Sequence, residues 1–172
     1  MKLRLSGIKP ESVVDGPGIR FVLYVQGCSR RCPGCHNPGT HDPAGGVEAD
    51  LGLVLGWIRE ARPALDGVTF SGGEPFEQAE ALAELAKGVR RLGLDIVIYS
   101  GYTFEELLEK SEEDPHVRGL LEAGSLLVDG SYIQEERDLA LPYRGSRNQR
   151  LINISESLKR GVAVEKHLEA CA

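Results

Sequence analysis

Three cysteines within eight positions are the first residues of this sequence that could do chemistry. Cys28, Cys32 and Cys35 lie in a stretch rich in glycine and proline, and thiolates at such short spacing can converge on one iron or zinc centre. A [4Fe–4S] cluster held by three thiolates keeps one iron free of protein ligands, and that iron could bind a small molecule. The alternative is structural zinc, with His36 or His41 as the fourth ligand.

The distribution of the cysteines favours metal ligation over disulfide formation. A disulfide framework spreads its half-cystines along the chain to close long loops, whereas three of the four cysteines here lie within residues 28–35. The spacing therefore predicts reduced thiols in a reducing compartment. The fourth cysteine, Cys171, is the penultimate residue. We interpret it as a free thiol, with a role as the fourth ligand as the alternative.

A second candidate site is the peptide Ser71-Gly-Gly-Glu-Pro75, which follows a predicted strand. Gly72 and Gly73 lack Cβ atoms, so backbone groups there can approach a ligand closely, and Glu74 adds a carboxylate beside them. By itself the peptide could be only a turn with an acidic residue at the start of a helix. The cysteine loop lies one strand away on the same predicted edge of the sheet, and this pairing favours a shared site.

Three predicted strands end in a small or polar residue followed by glycine. The glycines Gly72, Gly101 and Gly130 recur at equal intervals of 29 residues, about the length of one strand–helix crossover unit. The carboxyl ends of parallel strands share one edge of an α/β sheet, which is where such folds place their chemistry. Other side chains at these ends are candidates for ligand contact or for turn formation: Tyr99, Ser100 and Asp129.

Apolar patterning predicts the elements that position these residues. Strands are predicted within residues 18–25, 68–70, 95–99, 126–128 and 149–154, with a further strand suggested at 162–164. Helices are predicted at 49–61 and 76–92, and one or two more at 103–121, broken near Asp114-Pro115. A short last helix is predicted to be capped by Ser155 and to end at Arg160.

These elements predict an α/β fold, an incomplete and open β/α barrel of five or six mostly parallel strands. The chain of 172 residues fits one domain spanning residues 1–172 and is too short for a complete eight-stranded barrel of about 250 residues. Its net charge of −6 argues against a nucleic-acid or anionic-membrane partner. The sequence has neither a basic leader nor an apolar run long enough to span a bilayer, so we expect a cytoplasmic protein.

Taken together, the motifs resemble those of the radical S-adenosylmethionine superfamily, in which Cys-x3-Cys-x2-Cys precedes a Gly-Gly-Glu peptide after the second strand. Several further peptides are similar to glycyl-radical-enzyme activases: Asp15-Gly-Pro-Gly-Ile-Arg20, Cys32-Pro-Gly-Cys-His-Asn-Pro38, Thr69-Phe-Ser-Gly-Gly-Glu-Pro-Phe76 and Tyr99-Ser-Gly-Tyr-Thr-Phe104. Val128-Asp-Gly130 and Arg144-Gly-Ser-Arg-Asn-Gln-Arg150 resemble the branch of activases that acts on anaerobic ribonucleotide reductase. The resemblance extends from Ser12 to Asn153.

This resemblance implies that the three clustered cysteines hold a [4Fe–4S] cluster whose free iron chelates the amino and carboxylate groups of S-adenosylmethionine. Gly72, Gly73 and Glu74 would help to bind the amino group. Reduction by the cluster would split the sulfonium into methionine and a 5′-deoxyadenosyl radical, which would abstract hydrogen from a glycine Cα of the partner enzyme. Further contacts with the cosubstrate or the partner are implied for His36, Tyr99, Ser100, Asp129, Arg144, Arg147 and Asn148.

The implied partners are the catalytic subunit of anaerobic ribonucleotide reductase and a one-electron donor such as a flavodoxin or ferredoxin, with a homodimer as a further possibility. Arg30 and Arg31 interrupt the cysteines, and we expect both to be solvated, with docking of an acidic electron donor or tuning of the anionic cluster as the alternatives. Two other functions stay open: an enzyme of the superfamily with another target, and a non-catalytic zinc- or cluster-binding module.

One position departs from the pattern of the superfamily. Many members carry an aromatic residue immediately before the third cysteine, whereas Gly34 stands there in this chain. His36 or another side chain would therefore have to support the adenine ring of the cosubstrate.

Overall fold

The computed structural model describes residues 1–167 as one sheet with helices between its strands. The strands are β1 (Lys2–Ser12), β2 (Arg20–Val25), β3 (Val47–Asp50), β4 (Gly67–Gly72), β5 (Asp95–Tyr99), β6 (Leu126–Asp129) and β7 (Arg150–Asn153). The helices are α1 (Leu51–Ala61), α2 (Ala79–Arg91), α3 (Phe104–Glu113), α4 (Pro115–Ala123) and α5 (Ile154–Arg160). Single turns of 3-10 helix occupy Pro38–Thr40, Arg62–Ala64, Pro75–Gln78 and Gln134–Glu136.

The sheet has seven strands in the order β3-β1-β2-β4-β5-β6-β7 and is open, because β3 and β7 are its two edges. The four central strands β2, β4, β5 and β6 run parallel, so their carboxyl ends lie at one edge. The outer strands β1, β3 and β7 are antiparallel to their neighbours. This is an open α/β fold, with more strands than the five or six that the sequence predicts.

The additional strands are β1 and β3, which apolar patterning misses. β1 contains Gly7 and Pro10 and is exposed over much of its length, and β3 contains two acidic residues, so neither has a continuous apolar run. At the other end of the chain, residues 162–164 do not form a strand. They are joined to β7 by the Asn153 N–H to Val164 carbonyl bond and one isolated bridge.

The predicted helices are confirmed, including the break near Asp114-Pro115, with one change at the cap of the last helix. The break between α3 and α4 lies at Asp114-Pro115, where the Asp114 carboxylate accepts the amide of His116 and the proline begins α4. The cap of α5 is Asn153 rather than Ser155, because the Asn153 side chain accepts the amide of Glu156.

The two faces of the sheet are covered differently. Alternate side chains along the strands, such as Leu23 and Phe70, pack with all five helices in one large buried cluster. The opposite face carries a smaller apolar cluster to which no helix contributes, formed by Val97, Leu126, Val128 and Leu151 with Tyr99 and Tyr143 packed against it. The helix-free face is covered in part by Tyr143, which comes from the segment between β6 and β7. Among residues 1–167, none of the helices has the length and apolar composition needed to cross a membrane.

A buried arginine joins the amino-terminal ends of the parallel strands. Arg20 has 1% of its side chain exposed, and its guanidinium donates to the carbonyl of Val68 at 2.7 Å and to the hydroxyl of Thr69 at 3.2 Å. It also pairs with Asp95 on β5, passing over Gly67, where a Cβ atom would lie 2.5 Å from the Arg20 Cζ. The glycine therefore allows one side chain to connect three strands.

We predict that Arg20→Met lowers the free energy of unfolding by about 2–4 kcal/mol, because the buried carbonyl and hydroxyl partners lose their donor. The measurement is chemical denaturation followed by circular dichroism. Arg118→Met is the matched control, since Arg118 pairs with Glu122 on the surface of α4 with 60% of its side chain exposed. Loss of such a pair costs about 0.2–1 kcal/mol, and equal losses in the two variants would contradict the assignment of Arg20.

Candidate functional site

The cysteines lie on a loop that leaves β2 and folds back on itself. We refer to residues 26–46 as the cluster loop. Its two ends are joined by backbone hydrogen bonds from Gly27 to the carbonyl of Thr40 at 2.8 Å and from Cys28 to the carbonyl of His41 at 3.3 Å. The buried side chain of Gln26 donates to the carbonyls of Gly39 and Asp42 inside the loop. The loop therefore begins and ends at the carboxyl edge of the sheet.

Cys28, Cys32 and Cys35 are free, half-buried thiols. The backbone N–H groups of Arg30 and Arg31 point to the Cys28 sulfur, and the N–H of Asn37 donates to Cys35 Sγ at 3.4 Å. Burial raises the pKa of the Cys28 thiol, and the two N–H groups oppose that rise. Amide groups directed at sulfur suit a thiolate that ligates iron.

Among residues 1–167, no three His, Cys, Asp or Glu side chains form a group that could hold a single metal ion. The donor set of three thiols on one loop nevertheless fits a cluster, whose irons are spread over a larger volume than one ion. Ligation by these three residues stays a prediction.

The paired glycines bring β4 against β2 and the start of the cluster loop. At Gly72, which has φ +96°, a Cβ atom would lie 2.6 Å from the Tyr24 Cα, and at Gly73 it would lie 2.2 Å from the carbonyl oxygen of Gly27. The amide of Gly73 donates to the Val25 carbonyl and that of Glu74 to the Gly27 carbonyl, both at 2.8 Å. Within the chain, these two glycines therefore allow the backbone of β4 to approach the backbone of β2 and of Gly27.

The Glu74 carboxylate is 1% exposed and joins the end of β4 to the turn after β5. Its Oε1 accepts from the Phe76 amide at 3.1 Å and the Ser100 hydroxyl at 2.9 Å, and its Oε2 accepts from the Gly101 amide at 2.8 Å. Burial raises the pKa of Glu74 to about 7, and the three donors limit that rise. The carboxylate therefore fixes the relative position of two strand ends.

Asp129 is fully buried at the end of β6 and contacts β7 and α3. Its carboxylate accepts from Arg150 Nε at 3.0 Å and Nη2 at 2.5 Å, and from the Phe104 amide at 2.7 Å. Hydrogen bonds to Asp129 and Glu105 raise the pKa of the Arg150 guanidinium and so keep it charged. Every one of these contacts is structural, and contact of Asp129 with a cosubstrate stays a prediction.

Whereas the hydroxyl of Ser100 is buried against Glu74, the side chain of Tyr99 lies on the helix-free face of the sheet. It packs with Tyr143 against the smaller apolar cluster, and burial raises the pKa of Tyr99, with a further contribution from the Asp15 carboxylate. The Tyr24 hydroxyl lies 3.5 Å from the same Asp15 carboxylate. Because Tyr99 is the last residue of β5, it lies on this face at the carboxyl end of the strand, and its contact with a cosubstrate stays a prediction.

Three residues of the segment 144–150 were predicted to contact the cosubstrate or the partner, and they differ in whether their side chains already have hydrogen-bond partners within the chain. The Asn148 amide donates to the Ser131 carbonyl at 2.7 Å and accepts from the Ser146 hydroxyl at 2.6 Å. Arg147 is exposed, whereas the Nε atom of Arg144 is buried and has no hydrogen-bond partner among the residues that the structure describes. The segment therefore supports residues 130–134, which we call the strap.

The strap lies against the cluster loop at three places that the sequence analysis missed. Arg30 donates twice to the Ser131 hydroxyl, and the rings of His36 and Tyr132 lie 4.7 Å apart between centroids at a tilt of 47°. At Gly34, with φ +70°, the Gln134 side chain fills the space that a Cβ would occupy. The only signal in the sequence was the position of the strap directly after the third strand-end glycine.

Arg30 and Arg31, which were both expected to be solvated, differ in their exposure to solvent. Arg31 is exposed as expected, whereas the expectation was wrong for Arg30, which is half-buried between the cluster loop and the strap. The structure brings the cluster loop, Glu74, Ser100 and the strap together at the carboxyl edge. Cys171 lies outside the described residues.

Comparisons with known proteins agree with this arrangement. Residues 14–152 match the family model described as a 4Fe-4S single cluster domain. The anaerobic ribonucleoside-triphosphate reductase-activating proteins of Haemophilus influenzae and Vibrio cholerae are 33% and 35% identical to this chain over 147 residues, which is 81% of this chain and 91% of each relative. The pyruvate formate-lyase-activating enzyme of Clostridium pasteurianum is 39% identical over 117 residues, 63% of this chain and 49% of that enzyme.

The matched region begins before β2 and ends within β7, and so contains the cluster loop, the Gly72-Gly73-Glu74 peptide and the strap. The chain belongs to the 4Fe-4S single cluster domain family and to the family of the anaerobic ribonucleoside-triphosphate reductase-activating proteins.

Proposed function

We propose that this chain is a radical S-adenosylmethionine activase that generates a glycyl radical on anaerobic ribonucleotide reductase. The observation that carries the proposal is the junction between the two candidate motifs: the Glu74 amide donates to the carbonyl of Gly27, immediately before the first cysteine. Relatives named for activation of the reductase match 81% of the chain. The open α/β sheet would then be an incomplete barrel of the radical S-adenosylmethionine type, in one domain of residues 1–172.

In this proposal Cys28, Cys32 and Cys35 hold the [4Fe–4S] cluster through three thiolates. When bound, the cluster would supply the electron that splits S-adenosylmethionine into methionine and a 5′-deoxyadenosyl radical able to take hydrogen from a glycine Cα. Carbonyl groups at Gly72 and Gly73 would accept from the cationic amino group of the cosubstrate, and the buried charge of Glu74 would favour it.

The remaining residues would orient the cosubstrate and exclude water, with contacts proposed for His36, Tyr99, Ser100, Asp129, Arg144, Arg147 and Asn148. Among these, Arg144 has a buried Nε–H with no hydrogen-bond partner in residues 1–167, and this group could donate to a carboxylate of the cosubstrate, which supports its assignment. We further propose a flavodoxin- or ferredoxin-like electron donor, a cytoplasmic location and a homodimer as the assembly to test. In so short a chain, the glycine loop of the target would help to close the site.

A second candidate target is a formate-lyase-type glycyl-radical enzyme, favoured by the 39% identity to the Clostridium pasteurianum enzyme. The two targets are distinguished by incubating the reduced activase and S-adenosylmethionine with each purified target enzyme. The yield of glycyl radical, measured by electron paramagnetic resonance, should be higher on the reductase.

We predict that the anaerobically reconstituted and reduced protein gives a [4Fe–4S]⁺ paramagnetic resonance signal that changes when S-adenosylmethionine is added. Cys28→Ser, Cys32→Ser and Cys35→Ser should each abolish the signal, because the cluster loses one of three thiolates. Cys171→Ser is the control and should keep it. A zinc-loaded protein without an iron signal would refute the radical mechanism, and loss of the signal in the Cys171 variant would assign a fourth ligand.

We predict that Gly73→Ala reduces the iron content after reconstitution, because the new Cβ would lie 2.2 Å from the Gly27 carbonyl oxygen and displace the start of the cluster loop. Iron and sulfide analysis measures the effect. Gly56→Ala is the control: a Cβ there meets nothing within 4 Å, and alanine in α1 stabilises the helix by up to about 1 kcal/mol. Normal iron content in both variants would mean that the contact with Gly27 does not position the loop.

A further inference from the structure

We propose that Arg30 is a positioning residue that holds the cluster loop against the carboxyl ends of β5 and β6 and makes the bound cluster easier to reduce. This inference rests on the proposed function, since it requires a cluster on the three cysteines. Arg30 lies between the first two of them and is the one arginine of the loop whose side chain is half-buried.

The guanidinium of Arg30 makes a two-pronged contact with the strap. Its Nε and Nη2 donate to the Ser131 hydroxyl at 2.9 and 2.7 Å, and that hydroxyl donates to the Gly101 carbonyl at 3.1 Å. The Ser131 carbonyl is held in turn by the Asn148 amide. A chain of hydrogen bonds thus runs from the cluster loop through the strap to the segment 144–150 and to the turn after β5.

The aliphatic part of Arg30 passes directly over the turn after β5. At Gly101 a Cβ atom would lie 2.4 Å from the Arg30 Cδ, so only glycine admits the arginine at this place. The guanidinium Cζ lies 4.6 Å from the ring centroid of Tyr102, where its charge faces the electrons of the ring. The amide of Gly101 donates to Glu74, so Arg30 packs on the same turn that Glu74 fixes.

The charge of Arg30 has no close carboxylate partner. Within residues 1–167 it forms no ion pair, although ten such pairs occur elsewhere in the same residues. Its backbone N–H already points to the Cys28 sulfur. Reduction adds one negative charge to a cluster, and Arg30 lies two residues from both Cys28 and Cys32. A cation fixed on the loop that holds the cluster stabilises the reduced form more than the oxidised form and raises the reduction potential.

The test compares Arg30→Gln with Arg31→Gln in the reconstituted protein. Arg31 is the matched control because it lies on the same loop and carries the same charge, but its side chain is exposed and makes no hydrogen bond within the described residues. The midpoint potential is measured by a redox titration followed by paramagnetic resonance, and iron release by the rate of transfer to a chelator. We expect Arg30→Gln to have the lower midpoint potential and to release iron about tenfold faster than the Arg31 variant, because it loses two charge-assisted hydrogen bonds.

Two further variants distinguish the effect of the Arg30 hydrogen bonds on the loop from the effect of its charge on the potential. Arg30→Lys should keep the potential near that of the unmodified protein while releasing iron faster, since an ammonium group cannot reproduce the planar fork. Ser131→Ala should also release iron faster with an unchanged potential, and this result decides the matter if Arg30→Gln fails to retain a cluster.

Equal potentials and equal iron release for the Arg30→Gln and Arg31→Gln variants would overturn the inference, as would a Ser131→Ala variant that releases iron like the unmodified protein. A failure of the proposed function is distinguishable, because the unmodified protein would then hold no cluster or show no response to S-adenosylmethionine.

Discussion

The backbone of β4 approaches the backbone of β2 so closely at its carboxyl end that no side chain fits between them. Gly72 and Gly73 meet this requirement because they have no side chains. The carbonyls of Val25 and Gly27 accept the hydrogen bonds that hold the two backbones together. The start of the cluster loop is placed by this contact, since Gly27 is the last residue before the first cysteine. Glu74 extends the same contact to β5 by accepting from Ser100 and Gly101. The position of the cysteines relative to three strand ends therefore depends on one short stretch of backbone.

Two buried polar groups hold the parallel strands at opposite ends. Arg20 joins β2, β4 and β5 at the amino-terminal edge, away from the cysteines, and Glu74 joins β4 to β5 at the carboxyl edge. Both side chains are about 1% exposed. Arg20 donates to oxygen acceptors, and Glu74 accepts from amide and hydroxyl donors. An arginine keeps its charge under burial, whereas burial raises the pKa of the glutamate to about 7 and its three hydrogen-bond donors limit that rise. A cation bound at the carboxyl edge would therefore lower the pKa of Glu74 and favour its charged form.

The sequence predicts the parts of this protein in which one physical signal dominates. The four parallel strands have short apolar runs, three of them (β4, β5 and β6) lead to glycines spaced by 29 residues, and α2 has an apolar stripe, so these elements were predicted. β1 and β3 could not be found in the same way, because an edge region that pairs mainly through backbone hydrogen bonds needs no apolar pattern. The sequence analysis missed the strap for a related reason. Ser131 and Tyr132 lie in irregular backbone and Gln134 begins a single 3-10 turn, and none of the three belongs to a sequence motif. Only the three-dimensional path of the chain places them on the cluster loop.

The segment 144–150, which distinguishes one branch of activases by sequence, does not reach the cysteines by itself. Its Asn148 holds Ser131 and its Gln149 accepts from Gly145 and donates to Gly130, so its influence on the cluster loop passes through the strap. The strap in turn fills the space beside Gly34, the position at which many members of the superfamily carry an aromatic residue. A glycine there, with φ +70°, is required by the turn of the loop, and it leaves room for side chains that arrive from a distant part of the chain. The departure at Gly34 and the 144–150 segment therefore belong to one arrangement, and in the proposed function the strap would form the wall of the site beside the cluster loop.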